Sequence, residues 1–137
     1  MIAIIRISGH VSMFRGYEEM LFRLRLRNKF TCIVVPETKE LHANLIKLRS
    51  FVAYGKIDAE TLKLLLEKRG KPIAPSKKVD IAKALESIEK KGLASAGVKP
   101  FFRLHPPRGG IDSAQHFPKC VLGDHKEKIN DLIRRML

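Results

Sequence analysis

The sequence predicts an α+β fold: a small strand–helix–strand–helix–strand sandwich over residues 1–57, then a helical and extended C-terminal extension over residues 58–137. Three observations point there. The chain opens on an alternating apolar run, which is the period of a strand. Apolar spacings of three and four follow it, which is the period of a helix. Proline or glycine sits at the changes of period, where the backbone must turn.

Ile2 to Ser8 alternates, with Ala3, Ile5 and Ile7 on one face and Ile2, Ile4 and Arg6 on the other. The first set suits the buried face of a sheet. The second ends in a charge, so it calls for a polar cover or a later segment. Gly9-His10-Val11-Ser12 reads as a turn. A helix is expected from Gly16 to Asn28, with Tyr17, Met20, Leu21 and Leu24 on one face. Glu19, Arg23 and Arg27 form a second stripe with Arg25 beside it; a Glu19–Arg23 pair is worth about 0.3 kcal/mol. The arginines exceed what that pairing needs.

Phe30 to Val35, closed by Pro36, is the second strand. Thr38 N-caps a helix to Ser50 with Leu41, Leu45 and Leu48 inward. Phe51 to Tyr54 is the third strand, ending at Gly55. One sheet with both helices on one face follows, resembling half of a ferredoxin-like arrangement.

The extension begins with a helix from about 58 to 69, N-capped by Asp58 and stopped by Gly70 at C′, with Leu62, Leu65 and Leu66 inward. A basic connector over 71–78 carries Pro72 and Pro75. A further helix runs from about 80 to 91. Residues 99–123 hold proline, glycine and cations against the single acid Asp112. This segment is expected to be mobile alone and ordered on a partner. Asp124 and Glu127 have capping-box spacing, so the last helix is expected over 124–136, with Arg134 and Arg135 outward.

Lys and Arg number 27 against 14 Asp and Glu, a net charge of +13. Solubility requires far less, and for a folded chain the commonest partner of such an excess is nucleic acid. No apolar run approaches the roughly 20 residues that span a bilayer, so no membrane partner is expected. Residues Met1 to Ile7 lack the features of a secretory leader. Cys32 and Cys120 form no CxxC, which suits reduced thiols in the cytoplasm.

The strongest local signal is Phe101-Phe102-Arg103-Leu104-His105-Pro106-Pro107-Arg108-Gly109-Gly110. Prolines stiffen it, glycines let backbone approach phosphate, guanidinium forks match phosphate, and His105 or the phenylalanines can stack on a base. The other way to read it is a surface loop tethered by buried phenylalanines; both readings can hold. A second patch is Arg23, Arg25, Arg27 and Lys29. The full expected RNA-binding set adds Arg15, Lys56, Arg69, Lys71, Lys119, Arg134 and Arg135. His116-x3-Cys120-x4-His125 is one ligand short of a structural zinc site, so no metal and no cofactor are expected. The loop Gly9 to Arg15 distantly resembles the phosphate-cradling loop of acylphosphatases, but is two residues shorter and lacks their Gln-Gly pair. No catalytic residue is expected.

The chain resembles the archaeal and eukaryotic branch of the large-subunit ribosomal protein family numbered thirty, whose eukaryotic member is numbered seven. Three stretches carry the resemblance. One is Ile4-Ile5-Arg6-Ile7-Ser8-Gly9 running into Leu24-Arg25-Leu26-Arg27-Asn28-Lys29-Phe30. Another is Val52-Ala53-Tyr54-Gly55-Lys56-Ile57 with Leu66-Glu67-Lys68-Arg69-Gly70. The last is Phe102 to Gly110 with Ile129-Asn130-Asp131-Leu132-Ile133-Arg134-Arg135-Met136. The family usually carries more glycine and basic residues over 111–122 than this chain does. The resemblance implies the sandwich module, a longer C-terminal extension, and attachment to large-subunit rRNA.

The expected function is therefore a structural constituent of the large ribosomal subunit, in the cytoplasm, that binds rRNA and does no chemistry. The expected partners are large-subunit rRNA, with 5S rRNA a further candidate, and neighbouring large-subunit proteins. A free-standing RNA-binding or chaperone module, and an acylphosphatase-like enzyme, are the competing readings.

Overall fold

The first strand, β1 (Ile2–Arg6), is buried along its whole length, so both faces of the sheet it belongs to must be covered. The computed structural model describes residues 1–11, 13–73, 97–111 and 115–137. Their elements are β1, α1 (Arg15–Arg23), β2 (Thr31–Val35), α2 (Lys39–Leu48), β3 (Val52–Lys56), α3 (Ala59–Arg69), β4 (Phe102–Arg103), β5 (Gly123–Lys126) and α4 (Ile129–Met136). The helix expected at about 80–91 and most of the basic connector lie outside the described residues.

The five strands form one sheet in the order β4-β2-β1-β3-β5. β1 pairs antiparallel with both neighbours, Ile4 facing Ile33 on one side and Tyr54 on the other. β4 adds antiparallel to β2, and β5 adds parallel to β3. The architecture is α+β and compatible with a ferredoxin-like fold.

Each face has its own core. Ile2, Ile4, Ile33, Val52 and Tyr54 pack under Leu21 and Leu26 and under Leu45 and Leu48 of α2, so both early helices share a face as expected. Ala3, Ile5, Cys32, Val34 and Ala53 pack on the other face against Leu62, Leu65 and Leu66 of α3 and Ile129, Leu132, Ile133 and Met136 of α4. Val98, Phe102, Leu104 and Leu122 complete that second layer. Among the described residues no helix is long and apolar enough to cross a membrane.

Two boundaries differ from the sequence reading, each for a physical reason. α1 stops at Arg23, not Asn28. Arg25 adopts φ 61°, and the carbonyls of Leu26 and Arg27 turn away from the helix to accept from the Arg6 guanidinium. The last helix starts at Ile129, not Asp124. Residues 123–126 pair with β3 instead, and the Asp124 carboxylate accepts from Lys126 N at 2.9 Å. The β3–β5 register shifts at Tyr54/Gly55, where a Cβ on Gly55 would collide with the Lys126 carbonyl oxygen.

The caps divide. Thr38 Oγ1 accepts from Leu41 N at 3.2 Å, as its N-cap role requires. Asp58 holds the N-cap position of α3 without a side-chain cap bond, and its own N–H donates to Asn130 Oδ1 at 3.0 Å. Gly70 has φ −63°, so it is not the left-handed C′ residue expected; it is glycine because a Cβ would strike the Leu66 carbonyl.

Candidate nucleic-acid interface

The arginine patch is built from beneath by Arg6. Its side chain is 1% exposed and donates to four main-chain oxygens: Ser8 at 3.0 Å, Leu26 at 2.8 Å, Arg27 at 2.7 Å and Gly9 at 3.1 Å. Burial lowers its pKa, opposed by the charge of Glu18. This buried fork fixes the chain after α1, so Arg25 and Arg27 leave the surface from set positions.

β4 brings a third arginine alongside. Thr31 pairs with Arg103 and Cys32 with Phe102, and Leu104 N donates to Phe30 O at 2.9 Å. Phe102 is fully buried, so strand alternation sends Arg103 outward. The result is a cleft of about 460 Å³ lined by Phe22, Arg23, Arg25, Arg27, Asn28, Thr31, Phe101 and Arg103. The Arg27 guanidinium lies 4.0 Å from the centroid of the half-exposed Phe22 ring.

Phe101 and Arg103 also line a second cleft, of about 430 Å³, with Lys68, Arg69, Gly70, Lys71 and Lys99. The last turn of α3 supplies Lys68 and Arg69. Lys99 is held by its N–H to Lys71 O at 2.9 Å. Arg69 is anchored by a bond from Nη2 to Leu137 O at 2.8 Å. Among the described residues the two clefts together present eight cationic side chains and no carboxylate.

The Pro-Pro-Arg-Gly-Gly segment forms a separate group on α4. Arg135 donates from Nε and Nη2 to Arg108 O at 3.0 and 2.8 Å, and reaches Gly110 O at 3.4 Å. Arg108 N returns a bond to Arg135 O, and His105 N donates to Met136 O. Gly109 and Gly110 have φ of 85° and 78°, which side chains rarely adopt. Lys119, Gly110 and Arg135 line one cleft of about 280 Å³, but with Asp131 among them. Arg134 faces Glu60 at 3.8 Å.

The remaining expected residues lie elsewhere. Arg15 faces Glu19 at 3.6 Å, one turn along α1, which is also where Glu19 is engaged instead of at Arg23. Lys29 lies over Gly9. Lys56 borders a cleft at the opposite, β3–β5 edge, together with Glu37, Asp124 and Glu127. His125 of the would-be metal spacing bonds Val121 O at 2.8 Å and stacks 4.5 Å from Phe117. Burial pushes the Cys32 thiol up to about 12.

No model of a known protein family matches the chain. Individual proteins do. The large ribosomal subunit protein uL30 of Archaeoglobus fulgidus is 39% identical over a gapped alignment of 151 positions that covers 99% of each chain. The chain belongs to the uL30 family. Proteins of the same name from Pyrobaculum islandicum and Nanoarchaeum equitans are 36% and 35% identical, covering 98% of this chain and 93% and 97% of theirs.

Sequence reasoning missed three parts of this uL30 surface. Arg6 read only as a charge ending a strand face. Lys68 and Lys99 read as a helix end and a loop residue, because nothing local joins them to Arg103. Phe22 lay off the apolar stripe of its helix, and that displacement was the available signal.

Proposed function

We propose that this chain is a structural constituent of the large ribosomal subunit that binds rRNA along the sheet edge formed by β4. The supporting observation is the pair of basic clefts sharing Phe101 and Arg103, lined by no carboxylate among the described residues. Lys and Arg there neutralise phosphates, and release of the counterions supplies much of the affinity. Backbone and shape contacts dominate, since A-form RNA hides its base edges in a deep, narrow groove. The double cover of the sheet makes the platform rigid. Neighbouring large-subunit proteins are the other partners proposed, with 5S rRNA a further candidate and the cytoplasmic ribosome as the location.

Sedimentation tests the assignment. The protein stays with washed large subunits at moderate salt; recovery only in the soluble fraction overturns the reading and leaves a free-standing RNA-binding module. Arg25→Ala with Arg103→Ala then locates the surface. For every phosphate no longer neutralised, the log–log salt slope of rRNA binding becomes shallower by about 0.7–0.9. An unchanged slope places the interface elsewhere.

A further inference from the structure

The first cleft has a shape and lining that phosphate neutralisation does not require. Phe22 is 52% exposed, off the apolar face of α1, and contributes to neither core. The Arg27 guanidinium covers its ring at 4.0 Å. Arg27 itself springs from backbone clamped by Arg6 at 2.7 Å, so the pair is held in place and not merely met by chance. Phe101, half-buried, lines the same cleft, as do the exposed Asn28 and the buried Thr31. Arg25 and Arg103 complete it with charge.

A duplex presents its phosphates on a convex surface and would rest on the rim of such a hollow. An unpaired base has what the hollow lacks: a flat π face for the aromatic and guanidinium walls, and an edge of donors and acceptors for the Asn28 amide. The two arginines suit the phosphates on either side of that nucleotide. We propose that this cleft receives one unpaired RNA base, stacked against the Phe22–Arg27 pair, with Phe101 as a further wall. The inference rests on the RNA-binding reading above and specifies its ligand as a bulged or single-stranded nucleotide.

Three short RNA duplexes test it with the full chain: one fully paired, one with a single bulged adenosine, and one with the same bulge lacking its base. The bulged adenosine binds about tenfold tighter than the abasic bulge, the usual scale of one aromatic–base stack. Phe22→Ala abolishes that preference, and Phe22→Tyr restores it. Phe22 is outside both cores, so folding is not at stake. Equal affinity for adenosine and abasic bulges in the wild type overturns the base site while leaving the RNA interface standing. So does a preference that survives Phe22→Ala. Failure to bind any of the three RNAs overturns both.

Discussion

Arg6 occupies a position that would suit an isoleucine in any ordinary strand, and its charge is retained because four carbonyl oxygens surround it. Arg6→Met keeps the apolar stem and strands those oxygens. With bonds from a charged donor contributing about 1.5–3 kcal/mol each and some relaxation allowed, the loss is about 3 kcal/mol or more. Urea unfolding checks this: the midpoint falls at an unchanged slope, and a loss under about 1 kcal/mol means that water reaches the loop. His125 makes a second residue-scale case. Burial lowers its pKa below the ordinary histidine value, against the opposing Val121 bond and the charge of Asp124. The unfolded chain then takes up its proton first as pH falls. The stability contribution is complete above about pH 6.5 and is lost on acidification toward the lower folded pKa. The melting temperature therefore drops between about pH 7 and pH 5. His125→Gln reduces that drop; an identical drop in the variant assigns it to other groups.

At the scale of elements, the strands and helices set by local period were legible and those set by pairing were not. β1, β2, α2, β3 and α3 carry their own alternation or apolar stripe, and their positions agree with the sequence reading within a few residues. β4 and β5 have only two and four residues, and each exists because an edge of the sheet was open to it. Gly123-Asp124-His125-Lys126 has no strand-forming composition, so the capping spacing of Asp124 and Glu127 was the stronger local signal there. The candidate site followed the same division. Arg23, Arg25, Arg27 and Arg103 could be named from sequence, but their convergence depends on β4 pairing with β2. Arg135 shows the other limit: it read as an outward cation, and its guanidinium also bonds the Arg108 carbonyl of the Pro-Pro-Arg-Gly-Gly loop. Arg135→Ala should loosen that loop alone. Amide exchange at Arg108 and Gly110 accelerates about tenfold while global stability changes by less than about 1 kcal/mol. Unchanged exchange would leave Arg135 as a surface charge like its neighbour Arg134.

Over the whole molecule, charge is unevenly spread, and that separates two explanations of RNA binding that net charge alone cannot. If the overall +13 drove association, removing any cations would weaken it equally. Among the described residues the eight cations at the β4 edge have no carboxylate beside them, whereas Lys56 and Lys128 share the opposite-edge cleft with Glu37, Asp124 and Glu127. Two double charge reversals make the comparison. Arg25→Glu with Arg103→Glu, and Lys56→Glu with Lys128→Glu, each reduce the net charge from +13 to +9, since each reversal removes two. All four side chains are exposed, so neither variant buries a new charge. Long-range attraction falls by the same amount in both, and at physiological salt it is screened beyond about 8 Å. Short-range attraction to phosphate falls only in the first. The β4-edge variant should therefore lose at least about a hundredfold in affinity for rRNA, as two interactions worth roughly 1.5 kcal/mol each turn repulsive. The opposite-edge variant should stay within about threefold, a difference that narrows further as salt rises. Equal losses in the two variants would return the explanation to net charge and dissolve the assignment of an interface to the β4 edge.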